Sequence, residues 1–225
     1  RIEDDKALEI NNPASESVRA GESYVIGTYN IGFGAYDKDF SFFMDTGRMI
    51  GSDKIIRGKY GKAVSREAAL RNTEGAIEAA RALKPDFMLF QEVDEKSHRA
   101  RKVNQLAAIR DAFPTHSSVY AENFHSAYLF YPLSDPHGKT NAGIVTMSRY
   151  GIDESVRRSF PVDNGFPTKF FDLDRCFSVS RINLSGSRAG RQLVLINVHL
   201  SAYDKGGTIR AKQLAMLNKV LEAER

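Results

Sequence analysis

Pro85-Asp86-Phe87-Met88-Leu89-Phe90-Gln91-Glu92-Val93-Asp94 is the stretch whose reading decides the fold. Residues 87–90 form a continuous apolar run, the mark of a strand buried on both faces. The proline ahead of it stops a helix, because from Ser65 onward Leu70, Thr73, Ile77 and Ala80 recur at helical spacing. A helix running into a doubly buried strand predicts an α/β domain of layered sheets. The strand then ends in Gln91 and Glu92, polar residues at the rim of a buried element.

The same reading extends in both directions. Upstream, 23–31 is a strand rich in Val, Ile, Tyr and Thr. Downstream, a second helix is expected over 97–112, with Val103, Leu106, Ala107 and Phe113 towards the core. Strands follow at 116–121, 142–147, 156–160, 177–184 and 193–200. The turn Ser185-Gly186-Ser187-Arg188-Ala189-Gly190 makes the last two a hairpin. Thr208 is expected to cap a closing helix that carries Leu214, Leu217 and Leu221. Residues 1–22 are polar and aperiodic and read as an N-terminal arm, so the domain proper is 23–225. Between them lies 32–62, dotted with glycine, carrying four phenylalanines and no steady period. A loop that long in a compact domain is usually functional or partly ordered.

Composition narrows the function classes. With 225 residues, one large domain is favoured over two small ones at ~150 residues each. Hydrophobic residues at 42% and charged residues at 27% exclude a disordered or collagen-like chain. Apolar runs such as 193–196 are far too short to cross a bilayer, which takes ~20 residues. The single cysteine, Cys176, excludes an internal disulfide framework and a cysteine-rich zinc site. Five histidines contain no His-x-x-x-His pair. Lys+Arg at 32 against Asp+Glu at 28 gives +4, a weak lean towards a polyanionic partner. No methionine opens the chain and no signal peptide is visible, so it reads as a soluble segment, expressed or processed, of open compartment.

Two motifs imitate phosphate-binding loops. Gly32-Phe33-Gly34 follows a strand, but Asp37 holds the third glycine position and no helix is expected after it. Gly138-Lys139-Thr140 resembles the end of a P-loop, yet Leu133 stands where its first glycine belongs and a strand follows. Both lack the strand–loop–helix that presents backbone N–H groups to phosphate.

Three polar residues sit where apolar strands end: Asn30, Glu92 and His199. Ligands of α/β sheets bind off such strand ends, so the three are expected to converge on one pocket. A carboxylate with an amide oxygen and waters suits a hard cation such as magnesium, which takes few protein ligands. Histidine adds a proton donor or a hydrogen bond to a phosphoryl oxygen. Arg175 adds a fixed, bidentate phosphate partner, unless it only closes a salt bridge with Asp172 or Asp174.

Four blocks then carry a resemblance: Thr28-Tyr29-Asn30-Ile31, 85–94, Gly143-Ile144-Val145-Thr146-Met147-Ser148-Arg149 and Asn197-Val198-His199-Leu200-Ser201. In order, and from about Tyr24 to the last residue, they resemble the endonuclease/exonuclease/phosphatase superfamily, the fold of deoxyribonuclease I. The resemblance implies a two-sheet α/β sandwich, the second sheet incomplete in this chain, and magnesium-dependent hydrolysis of a phosphate ester, with manganese as the alternative metal. It matches Asn30 and Glu92 to residues at the metal, and His199 to the catalytic histidine facing the scissile phosphate. Arg175 falls where some members contact phosphate. Asn141 and Tyr128 are candidate pocket residues, and Asn197 a supporting residue behind the site.

The family pattern also implies a later Gly-Asp-x-Asn and Ser-Asp-His that orient and activate water. Here Asp204 is the only Asp after His199, and no His follows it. The expectation is a C-terminally truncated domain that hydrolyses little by itself. The substrate is left open among nucleic acid, inositol phosphates and sphingomyelin-type lipid head groups, as is the oligomeric state. An exported or extracytoplasmic bacterial protein is one setting for such a segment. A non-catalytic interaction module on the same fold is the alternative from a different class.

Overall fold

The computed structural model describes residues 2–162, 174–202 and 204–225. The N-terminal arm supplies three two-residue strands, β1 (Lys6–Ala7), β2 (Ile10–Asn11) and β3 (Val18–Arg19). Then come β4 (Ile26–Asn30), a hairpin of β5 (Thr46–Arg48) and β6 (Ile55–Arg57), α1 (Arg66–Ala82) and β7 (Phe87–Asp94). After α2 (Gln105–Ala112), the long strands β8 (Ser117–Leu129) and β9 (Gly138–Ser148) lead to β10 (Glu154–Ser159). The hairpin β11 (Cys176–Ser185) and β12 (Gln192–Val198) and the helix α3 (Thr208–Ala223) complete the chain.

The strands form two five-stranded sheets. The first has the order β2-β8-β9-β7-β4, with only β4 and β7 parallel. The second runs β1-β10-β11-β12, and β3 pairs in parallel with β11. α1 and α2 cover the outer face of the first sheet, where Ile77, Ala80 and Ile109 pack on Met88, Phe90, Val145 and Met147. α3 covers the outer face of the second, setting Met216, Leu217 and Val220 against Phe177 and Val179. Phe87, Val119, Ile182 and Leu195 fill the space between the sheets. The result is a helix–sheet–sheet–helix sandwich, the layered α/β fold that the sequence predicts.

Differences from the sequence reading have local causes. The second helix begins at Gln105, not at 97, because Asn104 caps it by accepting the Ala107 N–H at 3.0 Å. Residues ahead of it turn sharply, with Arg101 and Lys102 both at positive φ. Gly207, at φ 73°, precedes the closing helix in the capping position expected of Thr208, and the first turn is capped from further back by Asp204, whose Oδ2 accepts the Arg210 N–H at 2.7 Å. The 32–62 segment is ordered around a cluster of Phe33, Phe40, Phe42 and Phe43. It begins with a tight turn over Gly32–Gly34. Gly34 has φ 67°, and a Cβ there would lie 2.8 Å from the Ala69 carbonyl oxygen, so the turn nests against α1 only as glycine. Cys176 is buried, and burial raises its thiol pKa to about 12, which leaves it unreactive.

Candidate active site

Two irregularities in neighbouring strands deliver the side chains. β7 pairs with β9 as Phe90↔Val145 and next as Val93↔Gly143, so Gln91 and Glu92 together oppose Ile144. Glu92 takes φ 54°, and this bulge turns its carboxylate out of the strand alternation. β8 has its own register shift against β9 between Glu122 and Phe124, which leaves Asn123 as the extra residue. Gly143 lies opposite both irregularities. A Cβ there would come within 2.5 Å of the Ala121 carbonyl oxygen, so the strands close up only around a glycine.

Asn197 fixes the first bulge from the opposite sheet. Fully buried on β12, it donates from Nδ2 to the Phe90 oxygen at 3.2 Å and to the Val145 oxygen at 3.0 Å. Its Oδ1 accepts from Gln91 Nε2 at 2.8 Å. Carbonyls that the irregular ladder would strand in the core thus gain partners.

On this frame Asn30, Glu92 and His199 meet. Asn30 Nδ2 donates to Glu92 Oε1 at 3.1 Å, and its Oδ1 accepts the Gly32 N–H at 2.9 Å. Nε2 of His199 lies 3.5 Å from the same Glu92 oxygen. Arg175 Nη1 approaches Nδ1 at 2.8 Å and, at longer range, Nε2 at 3.4 Å, and Asn123 Nδ2 approaches Nδ1 at 3.3 Å. Both groups are donors, so Nδ1 carries the lone pair and the proton sits on Nε2, facing Glu92. Burial, followed by the charges of Arg175 and Arg99, holds the His199 pKa well below the ordinary value of 6.5. The ring is a neutral N–H donor, and its approach to Glu92 is a polar contact and not an ion pair.

Glu92, Asn123, Arg175 and His199 help to line a cavity of about 250 Å³. Its other walls include Phe33, Tyr36, Phe42 and Phe124, with Asp45, Arg99 and His137 among them. Arg99 is clamped by buried Asp94 through two bonds of 2.8 and 2.7 Å. Tyr36 bonds Asp45, and burial followed by the charges of Asp45 and Glu92 raises its hydroxyl pKa.

Other residues singled out in the sequence lie elsewhere. Tyr128 is 44% exposed and stands edge-on to His98 at 5.4 Å, away from this cavity. Asn141 lines a separate recess with Lys96, Lys102 and Lys139. Arg175 reaches His199; of its two suggested salt-bridge partners, Asp172 lies outside the described residues. Asn123, Asp45, Arg99 and His137 escaped the sequence reading. Asn123 left a faint signal, a polar residue just past the apolar end of an expected strand, whereas Arg99 sat inside the helix expected over 97–112 and His137 in a stretch to which no element was assigned.

Glu92 is the residue of this group that could hold a hard divalent cation. Its partly exposed carboxylate lines the cavity, and magnesium accepts one or two carboxylates and keeps several waters. Among the described residues no three His, Cys, Asp or Glu gather as a closed metal site. Asn30 presents nitrogen to Glu92, so in this arrangement it orients the carboxylate and does not extend the oxygen set. No helix among the described residues is long and apolar enough to cross a membrane.

The chain is similar at low identity to several solved structures. The human Nocturnin catalytic domain with bound sulfate is 16% identical, with a TM-score of 0.47 over 70% of this chain and 50% of that one. An endonuclease/exonuclease/phosphatase from Beutenbergia cavernae is 20% identical, with a TM-score of 0.45 over 64% of this chain and 37% of that one. Truncated Caenorhabditis elegans TDP2 is 16% identical, with a TM-score of 0.46 over 71% and 51%. The chain therefore spans about half or less of the solved structures it resembles, and no curated protein matches it. Residues 27–212 match the sequence model of the Endonuclease/Exonuclease/phosphatase family, and the chain belongs to that family.

Proposed function

We propose that the protein is a divalent-cation-dependent hydrolase of phosphate esters, with magnesium as the working metal and manganese as a substitute. The observation that carries this reading is the sandwiched imidazole: two donors hold Nδ1 of His199, which aims the Nε2 proton at the Glu92 carboxylate. Such a fixed, neutral donor beside a carboxylate that could hold a cation suits an anionic phosphoryl group.

In this mechanism Glu92 holds the cation, and Asn30 keeps the carboxylate turned towards it. A bound divalent cation offsets the negative charge of the phosphoryl oxygens. Nε2–H of His199 donates to one of those oxygens, and Arg175 adds positive charge beside the ring. Asn123 and Arg175 hold the ring so that little reorganisation is needed when charge develops on the oxygen. A water attacks phosphorus, the phosphorus–oxygen bond to the alcohol breaks, and the alcohol leaves with a proton. Residues 28–31, 85–94 and 197–201 supply the cation and donor side of this chemistry, and the water-activating side is expected of the family's Gly-Asp-x-Asn and Ser-Asp-His motifs.

The test is Glu92→Gln. It preserves size and one hydrogen-bond acceptor but removes the charge that holds a cation. Magnesium affinity, read by calorimetry, should collapse, and turnover of bis-4-nitrophenyl phosphate by the full-length protein should fall by about 10²-fold or more. Unchanged magnesium binding and turnover in a folded variant refute the reading and favour an interaction module.

A further inference from the structure

The hairpin of β5 and β6 stands apart from both large sheets, because its strands pair only with each other. Every residue from 45 to 57 is exposed. The root is fixed: the Asp45 N–H donates to the Phe42 oxygen at 2.8 Å, and the Gly58 N–H to the Asp45 oxygen at 2.9 Å. Beyond the root the apolar side chains have no cover. Ile50 is 101% exposed, Ile55 64%, Met49 46% and Ile56 40%. A two-stranded hairpin is at best marginally stable in water, and a cluster of large apolar side chains on a protein surface usually marks a contact.

The register shows what surroundings these side chains fit. Thr46 pairs with Arg57, Gly47 with Ile56 and Arg48 with Ile55, and the Met49 N–H donates to the Lys54 oxygen at 3.1 Å. Side chains alternate between the faces of a strand, so Ile55 shares one face with Arg48 and Arg57, and Ile56 shares the other with Met49 and Lys54. Both faces thus carry apolar groups and cations. A rigid protein groove covers one face of such a ribbon, whereas a fluid layer surrounds both. Aliphatic side chains also offer no ring on which a nucleic-acid base could stack. Between 46 and 59 the cations are Arg48, Lys54, Arg57 and Lys59, and the one carboxylate, Asp53, is held by Arg48 at 3.0 Å. A second exposed turn adjoins the root: Tyr131 lies 5.3 Å from Phe43, and Phe130 and Leu133 beside it are exposed.

We propose that this hairpin is a membrane anchor that enters the headgroup layer of a bilayer carrying anionic lipids. Met49, Ile50, Ile55 and Ile56 meet the acyl chains, and Arg48, Lys54, Arg57 and Lys59 meet the lipid phosphates. From the turn at 50–53 down to Ile56 is three residues, about 10 Å at ~3.3 Å per residue, which matches the ~5–10 Å depth of an interfacial segment. Lys54, close to the tip, reaches back to the phosphates along its own apolar stem. Tyr131, at the neighbouring turn, is of the type that settles at headgroup level. Attachment of this kind is independent of the hydrolase reading of Glu92 and His199.

The experiment is co-sedimentation of the full-length protein with vesicles of phosphatidylcholine alone, or of phosphatidylcholine with about one-third phosphatidylglycerol. The mixed vesicles should bind about tenfold or more tighter, and raising the salt from about 0.1 M to about 0.5 M should remove most of that gain. Ile50→Ser combined with Ile55→Ser should weaken binding to the mixed vesicles by about tenfold or more. Both positions are exposed, so the urea midpoint of that variant should not move. Lys54→Glu combined with Arg57→Glu should bring the mixed vesicles down to the level of phosphatidylcholine alone. Ile50→Trp, followed as the difference from the native protein, should shift its emission to the blue on vesicles and be quenched by brominated acyl chains. No binding to the mixed vesicles, binding that survives the paired serine substitutions, or an Ile50→Trp emission that vesicles leave unmoved would each overturn the proposal. So would binding of an oligothymidylate in place of vesicles, lost in the serine pair, which would make the hairpin a nucleic-acid contact.

Discussion

Arg175 Nη1 lies 2.8 Å from His199 Nδ1, a cation donating to a neutral imidazole. The contact fixes the tautomer. In a ¹⁵N-labelled protein at pH 7, His199 should show a protonated Nε2 and a bare, hydrogen-bonded Nδ1. Arg175→Ala should disturb that signature and lower turnover, and His199→Ala should cost about 10²-fold or more in turnover. A protonated Nδ1 in the native protein contradicts the arrangement.

Asn30 gives a sharper test of who holds the cation. Its nitrogen faces Glu92 at 3.1 Å while its oxygen is taken by the Gly32 N–H. If donation to Glu92 is its role, Asn30→Asp sets two carboxylates against each other and should harm activity at least as much as Asn30→Ala. If its oxygen instead binds the metal, the aspartate variant should bind magnesium as well as or better than the native protein. Paired magnesium titrations of the two variants separate these outcomes.

The sandwich and the rim of the site are legible in the sequence because burial leaves a direct trace. The apolar run 87–90 marks β7, and Asn30, Glu92 and His199 stand out as polar ends of apolar strands. Backbone irregularity leaves no such trace. Nothing in Phe90-Gln91-Glu92-Val93 shows that two residues will oppose one on β9, yet that bulge is what frees Glu92 from the alternation. Residues whose roles depend on long-range pairing were hidden for a related reason. Arg99 reads as a helix-surface arginine until Asp94 and Phe33 are placed around it. His137 carries no distinguishing sequence signal, and only the fold shows that Gly61, distant in sequence, accepts its Nδ1–H.

Asn197 links the core to the chemistry. Replacing it with leucine keeps the branched outline but removes the Nδ2 and Oδ1 partners of the Phe90 and Val145 carbonyls and the Gln91 amide in a dry interior. The loss should be about 3 kcal/mol or more, measured as a shift in the urea midpoint. Activity of the still-folded fraction should fall as well, because the bulge that presents Glu92 loses its brace. A leucine variant with native stability and turnover would show that the bulge stands without it.

His137 predicts how stability depends on acid. Burial, with the nearby charges of Arg99 and Lys62, pushes its pKa from the ordinary 6.5 down to about 3, against the raising effect of the Gly61 hydrogen bond. The folded protein therefore keeps the ring neutral, while the unfolded chain takes up a proton below pH 6.5. The stability contribution is complete above that pH and is lost progressively as the pH falls towards 3. Between pH 7 and pH 5 the shift amounts to about 2 kcal/mol at 1.36 kcal/mol per unit. Other carboxylates and histidines titrate over the same range, so the comparison is with His137→Phe, in which this one proton is absent. Urea unfolding at both pH values should show the native protein losing about 2 kcal/mol more than the variant. Equal losses would mean that the ring is already solvated or already protonated in the folded chain.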